Sequence, residues 1–99
     1  MAEQEPVRLV IDGTLDLHAF RPADIKTLLP DYLDECLKID IFQVRIVHGK
    51  GTGALRRTVH ALLGRMKTVA AFRLADETGG SWGATLVELR REEQPPSVQ

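Results

Sequence analysis

No stretch of this chain restricts its fold more than Val44-Arg45-Ile46-Val47-His48-Gly49-Lys50-Gly51-Thr52-Gly53. Val44, Ile46 and Val47 are β-branched and pack well on a pleated surface, so they predict a strand that ends at His48. Glycine then recurs at every second position, and from Ala54 the apolar spacing becomes helical. Glycine allows positive φ and close approach of the backbone to another group. The stretch therefore reads as strand, tight turn and helix start. Unpaired N–H groups at a helix start attract anions, and Lys50 adds a mobile positive charge. The ligand expected at Gly49, Lys50, Gly51, Thr52 and Gly53 is a phosphate.

The remainder of the 99 residues supplies one domain. Residues 1–6 read as a disordered leader and 91–99 as a charged, proline-containing disordered tail, leaving a domain over 7–90. Val7–Ile11 predicts a short strand and Asp12-Gly13 a turn. Leu15–His18 alternates apolar and polar, which predicts a strand with Leu15 and Leu17 inward and Asp16 and His18 together on the other face. Pro22 suits the first turn of a helix. Ile25, Leu28, Leu29, Tyr32, Leu33, Cys36 and Leu37 then follow a helical period. The period passes through Pro30 unbroken, which predicts one bent helix.

Phe42–Val47 is the next strand. Ala54–Arg65 is the next helix, with a stripe of Leu55, Val59, Leu62, Leu63 and Met66. Val69–Leu74 and Gly83–Leu89 are the last strands, the latter with Thr85, Val87 and Leu89 on one face. The loop 76–81 between them predicts an antiparallel hairpin. The order β-α-β-α-β-β implies parallel pairing of the first three strands. It amounts to an α/β two-layer sandwich (α+β), with both helices on one face of a mixed four-stranded sheet.

Charge is unevenly spread although its sum is only −1. Between Ile41 and Ala75 there is no Asp or Glu, while Arg45, Lys50, Arg56, Arg57, Arg65, Lys67 and Arg73 all fall there. This predicts one basic surface on a neutral protein, although chance clustering of solvated side chains would look the same. The single cysteine, Cys36, allows neither an internal disulfide nor a zinc cluster and fits a reducing compartment. With no signal peptide or membrane-length apolar run, the expected location is the cytoplasm.

In such a sheet the loops after the first two strands open at one carboxyl edge, where α/β sheets commonly bind ligands. His18, His48, Asp16, Lys50 and the helix start converge there if those strands are neighbours. Imidazoles serve as general base and acid, and an anion site holds a phosphate as its charge grows. These are parts for cleaving a phosphodiester. Each also has a plainer reading. His18 and His48 can be backbone-bonded residues, His60 a solvated helix residue, and Trp82 either a stacking platform for a base or a cover over the sheet edge. The phosphate-loop pattern of nucleotide-binding proteins is not met, because Gly51 follows Lys50 where a hydroxyl residue is needed.

Leu15-Asp16-Leu17-His18, then His48–Gly53, then Gly80-Ser81-Trp82-Gly83-Ala84-Thr85-Leu86-Val87-Glu88-Leu89 resemble the successive signature blocks of the Smr (small MutS-related) domain. The chain also resembles bacterial stand-alone Smr proteins. The resemblance implies a fold similar to the C-terminal domain of translation initiation factor three, nucleic-acid binding, and endonuclease activity in members that keep the first-block aspartate and histidine. On that basis Asp16 and His18 are catalytic candidates, with His48 beside them. Gly49, Lys50, Gly51, Thr52 and Gly53 match the block that holds the backbone. Ala19 departs from the glycine that usually follows the first block.

The expectation is thus a monomeric endonuclease that nicks or cleaves DNA or RNA, the ribosome being a further candidate partner. Arg56, Arg57, Arg45 and Trp82 would contact nucleic acid, with Arg65 and Lys67 also tracking the backbone. RNA cleavage through the 2′-OH needs no metal, whereas attack by water on DNA favours Mg²⁺. No set of metal ligands is evident. The alternatives are a non-catalytic nucleic-acid or ribosome-binding module, and a protein–protein adaptor in a DNA repair or translation-rescue complex.

Overall fold

The strand β1 is short because its own last residue ends it. In the computed structural model, which describes residues 10–49, 53–75 and 83–91, β1 spans Thr14–Asp16. The Asp16 carboxylate accepts the backbone N–H of His18, and Leu17–Ala19 closes into a 3-10 turn. An aspartate bonding two residues ahead competes with the strand ladder in this way. The predicted strand over Leu15–His18 is corrected accordingly, although Leu15 and Leu17 are both buried as expected. Val10 and Ile11 carry no strand, contrary to the one predicted at Val7–Ile11, and residues 7–9 lie outside the described residues. The 1–6 leader, Lys50, Gly51, Thr52, the 76–81 loop, Trp82 and residues 92–99 of the tail also lie outside them.

Pro22 opens a second 3-10 turn, Pro22–Asp24, that feeds α1, Ile25–Lys38. Pro30 lies inside α1, and the helix runs through it. A mid-helix proline costs about 3 kcal/mol or more. Burial of Ile25, Leu29 and Leu33 outweighs that, at about 1.5–3 kcal/mol each. Tyr32, on the same stripe, has an apolar ring in the core and a hydroxyl that reaches β1. It accepts the N–H of Gly13 at 3.0 Å and donates to the carbonyl of Thr14 at 3.2 Å. Helix α1 thereby fixes where β1 begins.

The other elements are β2 (Gln43–Val47), α2 (Ala54–Leu63), β3 (Val69–Leu74) and β4 (Ala84–Leu89). β1 pairs with β2 in parallel, with Asp16 opposite Val47. β4 pairs antiparallel with both β2 and β3, giving the order β1-β2-β4-β3. The expected parallel pairing of three strands is corrected here, because β4 separates β2 from β3. The reason is burial. Ala84, Thr85, Val87 and Leu89 are all buried, so β4 needs neighbours on both sides, whereas most of β3 is exposed and suits an edge. Leu15, Val44, Ile46, Val87 and Leu89 form one core with Ile25, Leu29 and Leu33 of α1 and with Val59 and Leu63 of α2. Both helices therefore cover one face. No helix among the described residues is long and apolar enough to cross a membrane.

Candidate active site

Because Asp16 and Val47 are register partners, the segments that leave β1 and β2 lie side by side. The Leu17–Ala19 turn carries His18, and His48–Gly49 leaves β2. Oδ1 of Asp16 accepts twice, from the His18 backbone N–H at 2.9 Å and from its ring Nδ1 at 2.8 Å. A carboxylate only accepts, so Nδ1 carries the proton and a neutral ring has its bare nitrogen at Nε2. That nitrogen faces Gly49, and among the described residues nothing hydrogen-bonds it. Both side chains are open to solvent, His18 at 61% and Asp16 at 59%. Ala19 has no positive φ, so its turn does not require glycine there.

Gly49 has φ +82°, and a β-carbon there would collide with the His18 ring. The carbonyl of Gly83, at the start of β4, accepts the N–H groups of both His48 and Gly49 at 2.8 Å. The Gly49 carbonyl accepts from His48 Nδ1 at 3.0 Å. Gly49 is thus fixed through its N–H, its carbonyl and its open α-carbon.

His48 is only 4% exposed, and its Nε2 bonds the Thr85 hydroxyl at 2.8 Å. The structure therefore brings His18 and Gly49 together and directs both His48 nitrogens into internal bonds. His60, read from sequence as solvated, is corrected: its Nε2 lies 2.8 Å from the same Thr85 hydroxyl. Its ring packs against Phe72 at 4.9 Å and edge-on to His48 at 6.2 Å. Burial, then His48 and Arg56, hold its pKa below the ordinary 6.5. The available signal was Thr85 itself, since an inward-facing hydroxyl on an apolar strand face needs a polar partner.

Gly53, φ +89°, is the N-cap of α2 and supplies no side-chain cap. The guanidinium nitrogens of Arg56 and Arg57 fold back to 3.0 and 3.4 Å from the position of a β-carbon on Gly53. Two cations at the positive end of a helix oppose the dipole, an arrangement that suits an anion there better than it suits the helix. Arg45 lies elsewhere, on the sheet face away from the helices, in a row with Thr14, Leu86 and Arg73. Lys67 stands near the opposite end of the sheet, beside Arg90 and Arg91. Among the described residues no three His, Cys, Asp or Glu side chains gather where a metal could be held.

A two-layer sandwich with a mixed sheet and a glycine-lined edge facing a histidine is the class of protein defined so far. The family model for the Smr domain matches residues 15–90, and the chain belongs to that family. It is similar to the Endonuclease MutS2 of Agathobacter rectalis, 48% identical over 82 residues, covering 83% of this chain and 10% of that protein. It is also 35% identical over 96 residues to the Endonuclease MutS2 of Staphylococcus carnosus, covering 90% of this chain and 12% of that protein. The chain thus spans about a tenth of the curated relatives it matches. Among solved structures, the Smr domain of Thermus thermophilus MutS2 superposes with TM-score 0.73 at 34% identity, covering 80% of this chain and 99% of that one. YdaL, a stand-alone small MutS-related protein from Escherichia coli, gives 0.71 at 25% identity, covering 79% and 64%.

Proposed function

We propose that this Smr domain is a nucleic-acid-binding endonuclease that breaks phosphodiester bonds at the β1–β2 edge. The observation that carries this reading is His18, whose Nδ1 is tied to Asp16 while Nε2 is presented to the Gly49 turn. Asp16 fixes the tautomer and ring orientation, and Nε2 takes the proton from the attacking hydroxyl. In RNA the nucleophile is the substrate's own 2′-OH, which forms a 2′,3′-cyclic phosphate as the bond to the 5′-oxygen breaks and that oxygen leaves with a proton from solvent. In DNA it is water, which displaces the 3′- or 5′-oxygen; a divalent cation, if bound, would supply activation of that water. Lys50 and the Gly49–Gly53 backbone hold the phosphate as its charge grows, and Arg56 and Arg57 bind the flanking chain. Trp82 stacks on a base, and Arg45, on the same sheet face as Asp16, contacts the nucleic-acid strand. The reading favours metal-independent cleavage of RNA, free or on the ribosome, by a cytoplasmic monomer. The relatives' name, endonuclease, supports the reaction class.

The test is cleavage of supercoiled plasmid and of a structured RNA, each with Mg²⁺ and with EDTA, by the wild type and by His18→Ala. Turnover in the wild type and its loss in the variant, with binding retained, is the expected result. Salt-sensitive binding without turnover of either substrate replaces the nuclease with a binding module. Negligible binding even at low salt leaves the adaptor reading.

A further inference from the structure

The buried chain His60–Thr85–His48 has a direction that can be worked out from its acceptors. The Gly49 carbonyl can only accept, so His48 Nδ1 carries a proton. In neutral His48 the Nε2 atom is then bare, and the bond to Thr85 must be donated by the threonine hydroxyl. That hydroxyl has one proton to give. The bond between Thr85 and His60 Nε2 must therefore be donated by the imidazole. Protons point from His60 to Thr85, from Thr85 to His48, and from His48 to the Gly49 carbonyl. The far end of this chain is the residue whose α-carbon carries the His18 ring. Thr85 is fully buried and His48 nearly so, so an unmade bond here is costly. Among the described residues no buried side-chain N or O lacks a partner.

We propose that Thr85 and His60 are positioning residues of the site: they hold His48 in its Nδ1–H form, which sets the Gly49 carbonyl and thereby the seat of His18. This rests on the nuclease reading for its catalytic consequence, though not for its geometry. Helix α2, through His60, is then coupled to the reacting histidine on the far side of β2. Neither Thr85 nor His60 touches the substrate, so disruption of the chain lowers turnover and leaves substrate binding in place.

The experiment is imidazole nitrogen and proton NMR on the full chain, above the titration range of the rings. The proteins compared are the wild type, Thr85→Val, Thr85→Ser and His60→Leu. The expected wild-type spectrum shows Nδ1–H on His48, Nε2–H on His60 and a strong cross-peak between the His18 ring and the Gly49 α-protons. Thr85→Val and His60→Leu weaken that cross-peak and lower kcat about tenfold or more, with KM unchanged, because small misplacements of a reacting group are costly. Thr85→Ser restores both. His60 is only half-buried, so His60→Leu keeps the test alive if Thr85→Val does not fold. A wild-type His48 with Nε2–H, or an unchanged His18–Gly49 cross-peak in a folded variant, overturns the proposal. Absence of cleavage by the wild type overturns the nuclease reading, while the tautomers still decide the positioning chain.

Discussion

The Nε2 atom of His18 stands over the α-carbon of Gly49, 2.7 Å from the point that a β-carbon there would occupy. Two segments 31 positions apart in the chain thus meet with no space for a methyl group. Gly49→Ala introduces that methyl and also places alanine at φ +82°. The left-handed backbone alone costs about 1–2 kcal/mol. Urea unfolding is expected to show at least that loss. Cleavage is expected to fall by about 100-fold, the scale of a 1 Å displacement of a reacting group. Full activity in a folded Gly49→Ala protein shows that turnover does not depend on the seat of the His18 ring over Gly49.

Asp16 does two tasks with one oxygen, ending β1 and clamping the His18 ring. Asp16→Ala is expected to lower stability by about 1 kcal/mol, as loss of a capping aspartate does. The larger effect is on turnover, a fall of about 100-fold, the lower end for loss of oriented acid–base catalysis. Nucleic-acid affinity should change little. Steady-state cleavage read alongside filter binding separates the two.

Arg56 and Arg57 are placed against the preference of their own helix. Replacing both by alanine is expected to leave the melting temperature unchanged or raise it, since each unfavourable end charge costs about 0.3–1 kcal/mol. Binding should weaken. The slope of log K against log salt should shrink by about 0.7–0.9 for each phosphate that the variant no longer neutralises. A double variant that is less stable and equally tight in binding contradicts the anion site.

The folded protein disfavours the protonated form of His60, through burial and then through His48 and Arg56. The unfolded chain does not, so it binds more protons than the folded state below the ordinary value of 6.5. Stability should therefore decline as pH falls from 6.5 through the lower folded value. Above 6.5 this group contributes no slope. Denaturant unfolding between pH 5 and pH 7.5, roughly the span in which histidines titrate, is expected to show a smaller decline for His60→Gln than for the wild type.

Tyr32 links the first helix to the first strand through its hydroxyl. Tyr32→Phe keeps the ring and leaves the Gly13 N–H without its partner. The expected loss is about 1–3 kcal/mol, the cost of a stranded buried donor. Urea midpoints at constant m-value would measure it.

The local elements were legible because periodicity is a property of neighbouring residues. Ile25, Leu29, Tyr32, Leu33 and Cys36 repeat at helical spacing, and every one is fully buried on α1. The inward row Thr85, Val87 and Leu89 follows from alternation, whereas a bulge between Val69 and Ala71 interrupts alternation in β3. The glycines and the flanking β-branched residues pointed to the edge where the candidate site is proposed. His60 was not legible from its helix, because the hydroxyl that holds its half-buried ring sits 25 positions away on β4.

What the sequence determined by itself is the set of elements, their apolar faces and the residue types at the glycine turn, since each depends on side chains close together along the chain. Tertiary structure alone decided which strands pair, which histidine faces solvent and which nitrogen carries a proton. β4 enters between β2 and β3 because its burial demand is the greater. That placement brings Thr85 between His48 and His60 and Gly83 against the turn, and it leaves His18 exposed over Gly49. Such contacts join segments remote in sequence, so they are set by the packing of the whole core and not by any local pattern.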